Sequence, residues 1–217
     1  MPTATGRSLP RLTRRVFSIA CAATAIAAPA ATASTAAPRR RGIPLGFDNF
    51  AVRAMGWNAR QLVDHAEKLG CDSVFITDFG PFGGQTDGDS LAGIARDASD
   101  RGVGLELGFR KDWGSAEDHL ALGIRMAHAL GSKAFRVILG NHEDRLSEGG
   151  IEARIDDTVK VLKACRSRAL DAGVKVAVEN HAGDLRASEL VRLVEEAGPD
   201  FVGVNFDSGN ALWTLDD

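Results

Sequence analysis

The sequence predicts an α/β protein folded as a (β/α)8 TIM barrel, incomplete, with about six of the eight β/α units present. Three observations predict it. Short apolar runs alternate six times with longer amphipathic ones from Gly42 onward, at a spacing of roughly 25 to 40 residues. The apolar runs read as near-continuous, as strands buried on both faces of a parallel sheet do. Nearly every run ends in polar residues: Asp48 and Asn49, Asp78, Arg110, Asn141 and His142, Glu179 and His181, Asp207 and Asn210. A ring of strand ends is where a barrel gathers its chemistry. An open doubly wound sheet fits the same order of elements. It has less support, because no Gly-x-Gly-x-x-Gly follows the first strand and the polar groups are spread over every strand.

Residues 1–37 read as a signal peptide of the twin-arginine type. Arg11, Arg14 and Arg15 precede an alanine-rich apolar run over 16–28, and small-x-small cleavage sites follow at Ala31-Thr32-Ala33 and Ser34-Thr35-Ala36. Thr13-Arg14-Arg15-Val16-Phe17 resembles the twin-arginine export motif. The run is short of the ~20 apolar residues a stable span needs. The expected location is therefore the periplasm, with no stable membrane anchor after cleavage.

The barrel domain is expected over 42–217. The first strand falls at 43–47. Asn58 caps a helix over 59–69 that Gly70 stops, with Leu62, Ala66 and Leu69 on one face. A second strand at 72–77 leads into a glycine-rich loop over 78–87. A helix over 90–101 and a strand at 103–107 follow. Ser115 with Asp118 forms a capping box for a helix ending before Gly131. The fourth strand falls at 134–139. A polar loop over 140–150 leads to one long helix over 151–172, closed by Gly173. The fifth strand falls at 174–178, Ser188 caps a helix to Ala197, and the sixth strand falls at 201–206. Because a barrel of this kind has eight strands, the chain is expected to be truncated. With strands one and six as unpaired edges, it is expected to be inactive and marginally stable as it stands.

Charge separates the two parts. The first 41 residues hold seven arginines and no acid, whereas the remainder holds 19 basic and 29 acidic residues, a formal −10. An acidic domain is a poor match for a phosphate backbone, so no nucleic-acid partner is expected. Cys21, Cys71 and Cys165 show no Cys-x-x-Cys spacing; Cys21 lies in the leader, and Cys71 and Cys165 read as two small buried residues, with a disulfide between them in an oxidising compartment as the alternative. His65, His119 and His128 fall on helices, on outer surfaces. Glu106, inside the third strand, is the expected ion-pair partner of Arg136.

Glu179 and Asp207 carry the chemistry. They end consecutive strands, which in a parallel sheet lie about 4.8 Å apart. Two carboxylates that close repel unless a cation neutralises them or one takes a proton. A divalent metal fits; oxygen ligands favour Mg or Mn, and an imidazole would widen the choice to Zn or Co.

Glu179-Asn180-His181 with Gly183-Asp184, and Val202-Gly203-Val204-Asn205-Phe206-Asp207-Ser208-Gly209-Asn210, resemble the xylose isomerase-like barrel superfamily, in particular its sugar phosphate isomerase/epimerase branch. The resemblance implies that Glu179 and Asp207 are two of four metal ligands, completed by a His after strand seven and a Glu after strand eight. It also implies isomerisation or epimerisation of a carbohydrate through an enediolate, with Glu179 as proton carrier. His181, His142, Arg136, Asp48 and Asn210 are the candidate contacts to substrate hydroxyls. Some members carry His where this chain has Asn210, a poor metal ligand, which tells against a multi-zinc nuclease. The alternatives are dehydration of a keto-sugar or inosose, phosphodiester cleavage, and an exported sugar-binding protein without catalysis. The oligomeric state is left open.

Overall fold

Six parallel strands lie side by side in chain order: β1 (Gly46–Asp48), β2 (Ser73–Ile76), β3 (Gly104–Gly108), β4 (Ala134–Ile138), β5 (Lys175–Glu179) and β6 (Val202–Asn205). They come from a computed structural model that describes residues 42–109, 116–140, 143–146 and 148–212. The leader, Arg110, the Ser115 cap, Asn141 and His142 lie outside the described residues. Each strand pairs with the next through a β/α crossover, which gives the incomplete barrel that the sequence predicts. Among the described residues, no helix is long and apolar enough to cross a membrane.

The helices are α1 (Ala59–Leu69), α2 (Gly88–Asp100), α3 (Ala116–Leu130), α4 (Gly150–Ala164), α5 (Arg166–Ala172), α6 (Ala187–Ala197) and the short α7 (Ser208–Ala211). Asn58 caps α1 in a reciprocal box with Gln61, and Gly70 ends the helix in the left-handed conformation. The single helix expected over 151–172 is two helices, because Cys165 leaves helical geometry at φ −96° and ψ 2°. The cap expected at Ser188 falls instead on Arg186, whose N–H donates to Glu189 Oε2. Three 3-10 turns, Asn49–Met55, Gly80–Phe82 and Asp144–Leu146, lie between β1, β2 and β4 and the helices that follow them.

The strands alternate, contrary to the continuous apolar reading. Val74, Ile76, Leu105, Leu107, Phe135, Val176, Val178 and Val202 pack with helix residues in one buried core. The opposite, inner face carries Asp48, Phe75, Glu106, Arg136, Glu179 and Asn205. The register puts Asp48 beside Phe75, Phe75 beside Glu106, and Glu179 beside Asn205. Period-two side-chain alternation therefore sends the aliphatics toward the helices and the polar groups toward the barrel interior. The aliphatics outnumber the polar groups, and small residues such as Gly104, Gly108, Ala177 and Gly203 fill much of the inner face. That composition hides the alternation in the sequence.

Gly123 shows how closely the helix layer approaches. A Cβ there would lie 2.1 Å from the Phe135 ring, which is fully buried on β4. A glycine inside a helix costs about 1 kcal/mol relative to alanine, so the contact offsets a real penalty. Two histidines expected on the outside are drawn inward. His119 is buried on α3, and His65 lies half-buried between Phe47 and Trp57, at ring distances of 5.5 and 4.8 Å. His128 is exposed, with Nδ1 2.8 Å from the Ala172 carbonyl. Cys71 and Cys165 are both unpaired, and Cys165 is buried.

Candidate functional site

β5 ends on Glu179, whose side chain is 6% exposed. Both its oxygens are engaged. Oε2 lies 2.7 Å from Arg136 Nε and accepts from Asn205 Nδ2 at 3.0 Å; Oε1 accepts from Asn210 Nδ2 at 3.3 Å. The Arg136 contact is an ion pair without the alignment of a linear hydrogen bond. Arg136 comes from β4 and lies over the Phe75 ring, with 5.2 Å from Cζ to the centroid. It therefore pairs with Glu179 across the β4–β5 ladder. The expected partner, Glu106, is exposed; it stands on the other neighbouring strand, β3, in register with Phe75.

Asp207 follows β6. Its Oδ1 accepts from the N–H groups of Gly209 and Asn210, at 2.8 and 3.0 Å, and so caps α7. Its Oδ2 accepts from Asn210 Nδ2 at 3.0 Å. One amide nitrogen thus stands between Glu179 and Asp207 and donates to both. The expected pair of carboxylates is brought together, and a weak donor lies between them.

Burial pushes the Glu179 carboxyl above its ordinary range, and the charge of Asp207 works the same way; Arg136, His181 and the Asn205 amide oppose them. Such a group holds a proton more readily than a solvated glutamate and is a stronger base when ionised. Asp48, at the end of β1, is likewise pushed up by burial. It accepts from Phe50 N–H at 2.8 Å; that bond and the charge of Arg136 oppose the shift, and the charge of Asp78 adds to it.

His181 lies two residues beyond Glu179. Its Nδ1 is 3.1 Å from the Gly140 carbonyl. A carbonyl only accepts, so Nδ1 carries the hydrogen and the neutral ring keeps its lone pair on Nε2. His142 lies outside the described residues.

Four residues that the sequence reading gave no role hold the loops. Asn180, next to Glu179, bonds the main chain of Asp207. Asp184 is fully buried and accepts from the N–H groups of His181, Leu185 and Gly140, at 2.7, 2.6 and 3.3 Å. Burial nevertheless raises its carboxyl to about 6. Arg145 donates to the Asp184 carbonyl at 2.7 Å and grips Glu189 with two bonds of 2.6 and 2.8 Å. Asn49 accepts from Thr77 N–H and donates to Asp78 Oδ2, which joins the ends of β1 and β2. Asn180 and Asp184 sit inside the motif that singles out this region. Their distant partners, Asp207 and Gly140, leave no signal of their own.

The oxygen donors of Glu179 and Asp207 fit two positions around a hard divalent cation. The Asn210 amide between them marks where the two negative charges need a positive neighbour. Among the described residues, no three His, Cys, Asp or Glu side chains converge in a metal-binding group.

The family described as xylose isomerase-like TIM barrel matches residues 63–217. Several solved structures are similar. An IolI protein with a bound zinc atom shares 18% identity at a TM-score of 0.64, over 81% of this chain and 66% of that one. D-Psicose 3-epimerase from Clostridium cellulolyticum H10, solved with D-tagatose, shares 14% at 0.63, over 81% and 67%. An AP endonuclease, family 2, from Brucella melitensis shares 17% at 0.58, over 81% and 72%. At these identities the likeness concerns the fold. The chain spans about two thirds of the length of the first two. No curated protein matches.

Proposed function

Because the chain belongs to the xylose isomerase-like TIM barrel family, we propose that its strand ends serve the metal-assisted isomerisation or epimerisation of a carbohydrate. The observation that carries this reading is the buried Glu179 carboxylate beside Asp207, with a single amide donor shared between them. Glu179 and Asp207 would hold a divalent ion: Mn, Mg, Co or Zn. Such an ion, when bound, withdraws electron density from a sugar carbonyl and so acidifies the neighbouring C–H.

The chain's own residues supply the rest. Glu179 accepts the proton from the carbon beside the carbonyl, and its burial strengthens it as a base. Arg136 holds the Glu179 side chain in place and keeps it ionised until the proton arrives. His181 offers Nε2 to a substrate hydroxyl, since Nδ1 is committed to Gly140. Asn210 and Asp48 give further polar contacts to hydroxyls, and His142 is assigned to the same role. Placing the proton on the neighbouring carbon gives an isomer; an epimer needs a proton delivered to the same carbon from the other face by a second acid, the role of the Glu that the resemblance implies after strand eight.

The acidic domain favours a neutral sugar over a polyanion, and its −10 charge works against phosphodiester substrates. Export through the twin-arginine route belongs to the same proposal. Fusing residues 1–41 to a reporter that is active only after export in the folded state tests that part.

The reaction is tested with the full-length protein in D2O with Mn2+ and a panel of ketoses and aldoses. NMR then follows deuterium entering the carbon next to the carbonyl. The expected result is exchange with at least one sugar, reduced by about three orders of magnitude in Glu179→Gln. Exchange that Glu179→Gln leaves unchanged would overturn the assignment. Loss of water from the sugar, rather than its epimer or isomer, would turn the reading to a dehydratase.

A further inference from the structure

Peptide pairing between β5 and β6 stops at Glu179 and Asn205, one step before Asp207. Past that point the ladder no longer fixes how far apart the two carboxylates sit. Asn180 stands at this step and is 5% exposed. Its side-chain amide makes two bonds to one residue: Oδ1 accepts from Asp207 N–H at 2.8 Å, and Nδ2 donates to the Asp207 carbonyl at 2.7 Å. A primary amide presents its C=O and one N–H side by side along one edge, so a single side chain can meet the main-chain N–H and C=O of one residue together. The Asn180 side chain therefore supplies the pair of bonds that the next position of the ladder would make.

We infer that Asn180 is a positioning residue: it carries the β5–β6 pairing one step further and so sets the separation of the Glu179 and Asp207 carboxylates. The inference rests on the reading of those two as cation ligands. Two features distinguish this role from the mere satisfaction of a loop. Both bonds go to the main chain of the residue that bears the second carboxylate, so they fix its orientation as well as its distance. Asn180 also directly follows the residue that bears the first, so no flexible linker separates the clamp from either ligand.

Residue chemistry makes the role specific. Aspartate at 180 keeps the shape and the acceptor but loses the donor, and sets a negative charge against the Asp207 carbonyl. Serine keeps a hydroxyl that is too short to reach both groups.

The test uses the full-length protein and reads Mn2+ affinity by calorimetry, with thermal midpoints measured in chelator. Asn180→Asp, Asn180→Ser and Asp207→Asn are compared with wild type. The expected result is Mn2+ affinity lowered 10- to 100-fold in both Asn180 variants, the range seen when a residue that orients a metal ligand is changed. Asp207→Asn should lose more. With a sugar that the wild type turns over, the Asn180 variants should lose kcat more than they raise KM. Should Asn180→Asp not fold, Asn180→Ser gives the same comparison. Asn180 variants that melt earlier but bind Mn2+ as wild type does would overturn the clamp while leaving the cation reading intact. Absent Mn2+ binding in wild type, with Asp207→Asn no different, would overturn both.

Discussion

Arg136 Nε stands 2.7 Å from Glu179 Oε2 across adjacent strands, with side chains only 11% and 6% exposed. Removing one member of a buried pair leaves the other charge stranded and costs about 3–5 kcal/mol. Arg136→Met should fall near the lower end, because Asn205 and Asn210 still donate to Glu179. The loss should depend on pH. Without Arg136 the Glu179 carboxyl, already raised by burial, rises further. A carboxyl raised in the folded state contributes stability that is present in acid and lost as pH rises through its folded value. Urea unfolding should therefore show the variant closest to wild type near pH 5 and furthest from it near pH 8.

Asn210 donates to Glu179 and to Asp207 with one nitrogen, the place where a small cation would be attracted. Asn210→Ala removes the donor and leaves the two acids facing each other. In chelator the variant should lose about 1–2 kcal/mol. Adding Mn2+ should raise its melting temperature by more than it raises that of wild type, because the amide shared between the two carboxylates then no longer competes for them. An equal or smaller Mn2+ shift would show that Asn210 does not share the cation position.

Packing between helix and sheet can be tested at Gly123. Alanine there normally strengthens a helix by about 1 kcal/mol. Here its Cβ would meet three atoms of the Phe135 ring within 2.5 Å, and that ring has nowhere to move. Overpacking costs about 1–3 kcal/mol, so the net effect of Gly123→Ala should be a loss of stability. Adding Phe135→Leu should recover part of it, because the two changes share one space.

The order of elements was legible in the sequence because each helix carries its own local marks, such as the Asn58 box with Gln61 and the glycine stop at 70. Glu179 and Asp207 were legible because each ends an apolar run. The pairing of Arg136 was misread for a physical reason. Both Glu106 and Glu179 project from the inner face, and only the register decides which one Arg136 meets: β4 aligns Arg136 with Ala177, one turn of the pleat below Glu179. Asn180 bonds Asp207, 27 positions away, and Asp184 ties its local turn to Gly140, 44 positions away, links that no local pattern encodes. The break at Cys165 was hidden because residues on both sides of it form helix well.

Asp184 gives the most direct pH test of the loops around Glu179. It is fully buried, and its carboxyl is raised to about 6 although three N–H groups donate to it. The unfolded chain releases this proton near the ordinary value of 3.8, before the folded chain does. Between those two values the folded state binds more protons, so stability from this group falls as pH rises from about 4 through 6. The shift corresponds to a loss of about 3 kcal/mol. Asp184→Asn cannot titrate, and its amide also replaces an acceptor with a donor, which costs stability at every pH. The test is therefore the slope. The stability of wild type relative to Asp184→Asn should decline between pH 4 and pH 7 and then stay level, as measured by urea unfolding at matched ionic strength. A difference that rises over the same window would mean that the three N–H groups hold the carboxylate ionised more strongly than burial disfavours it.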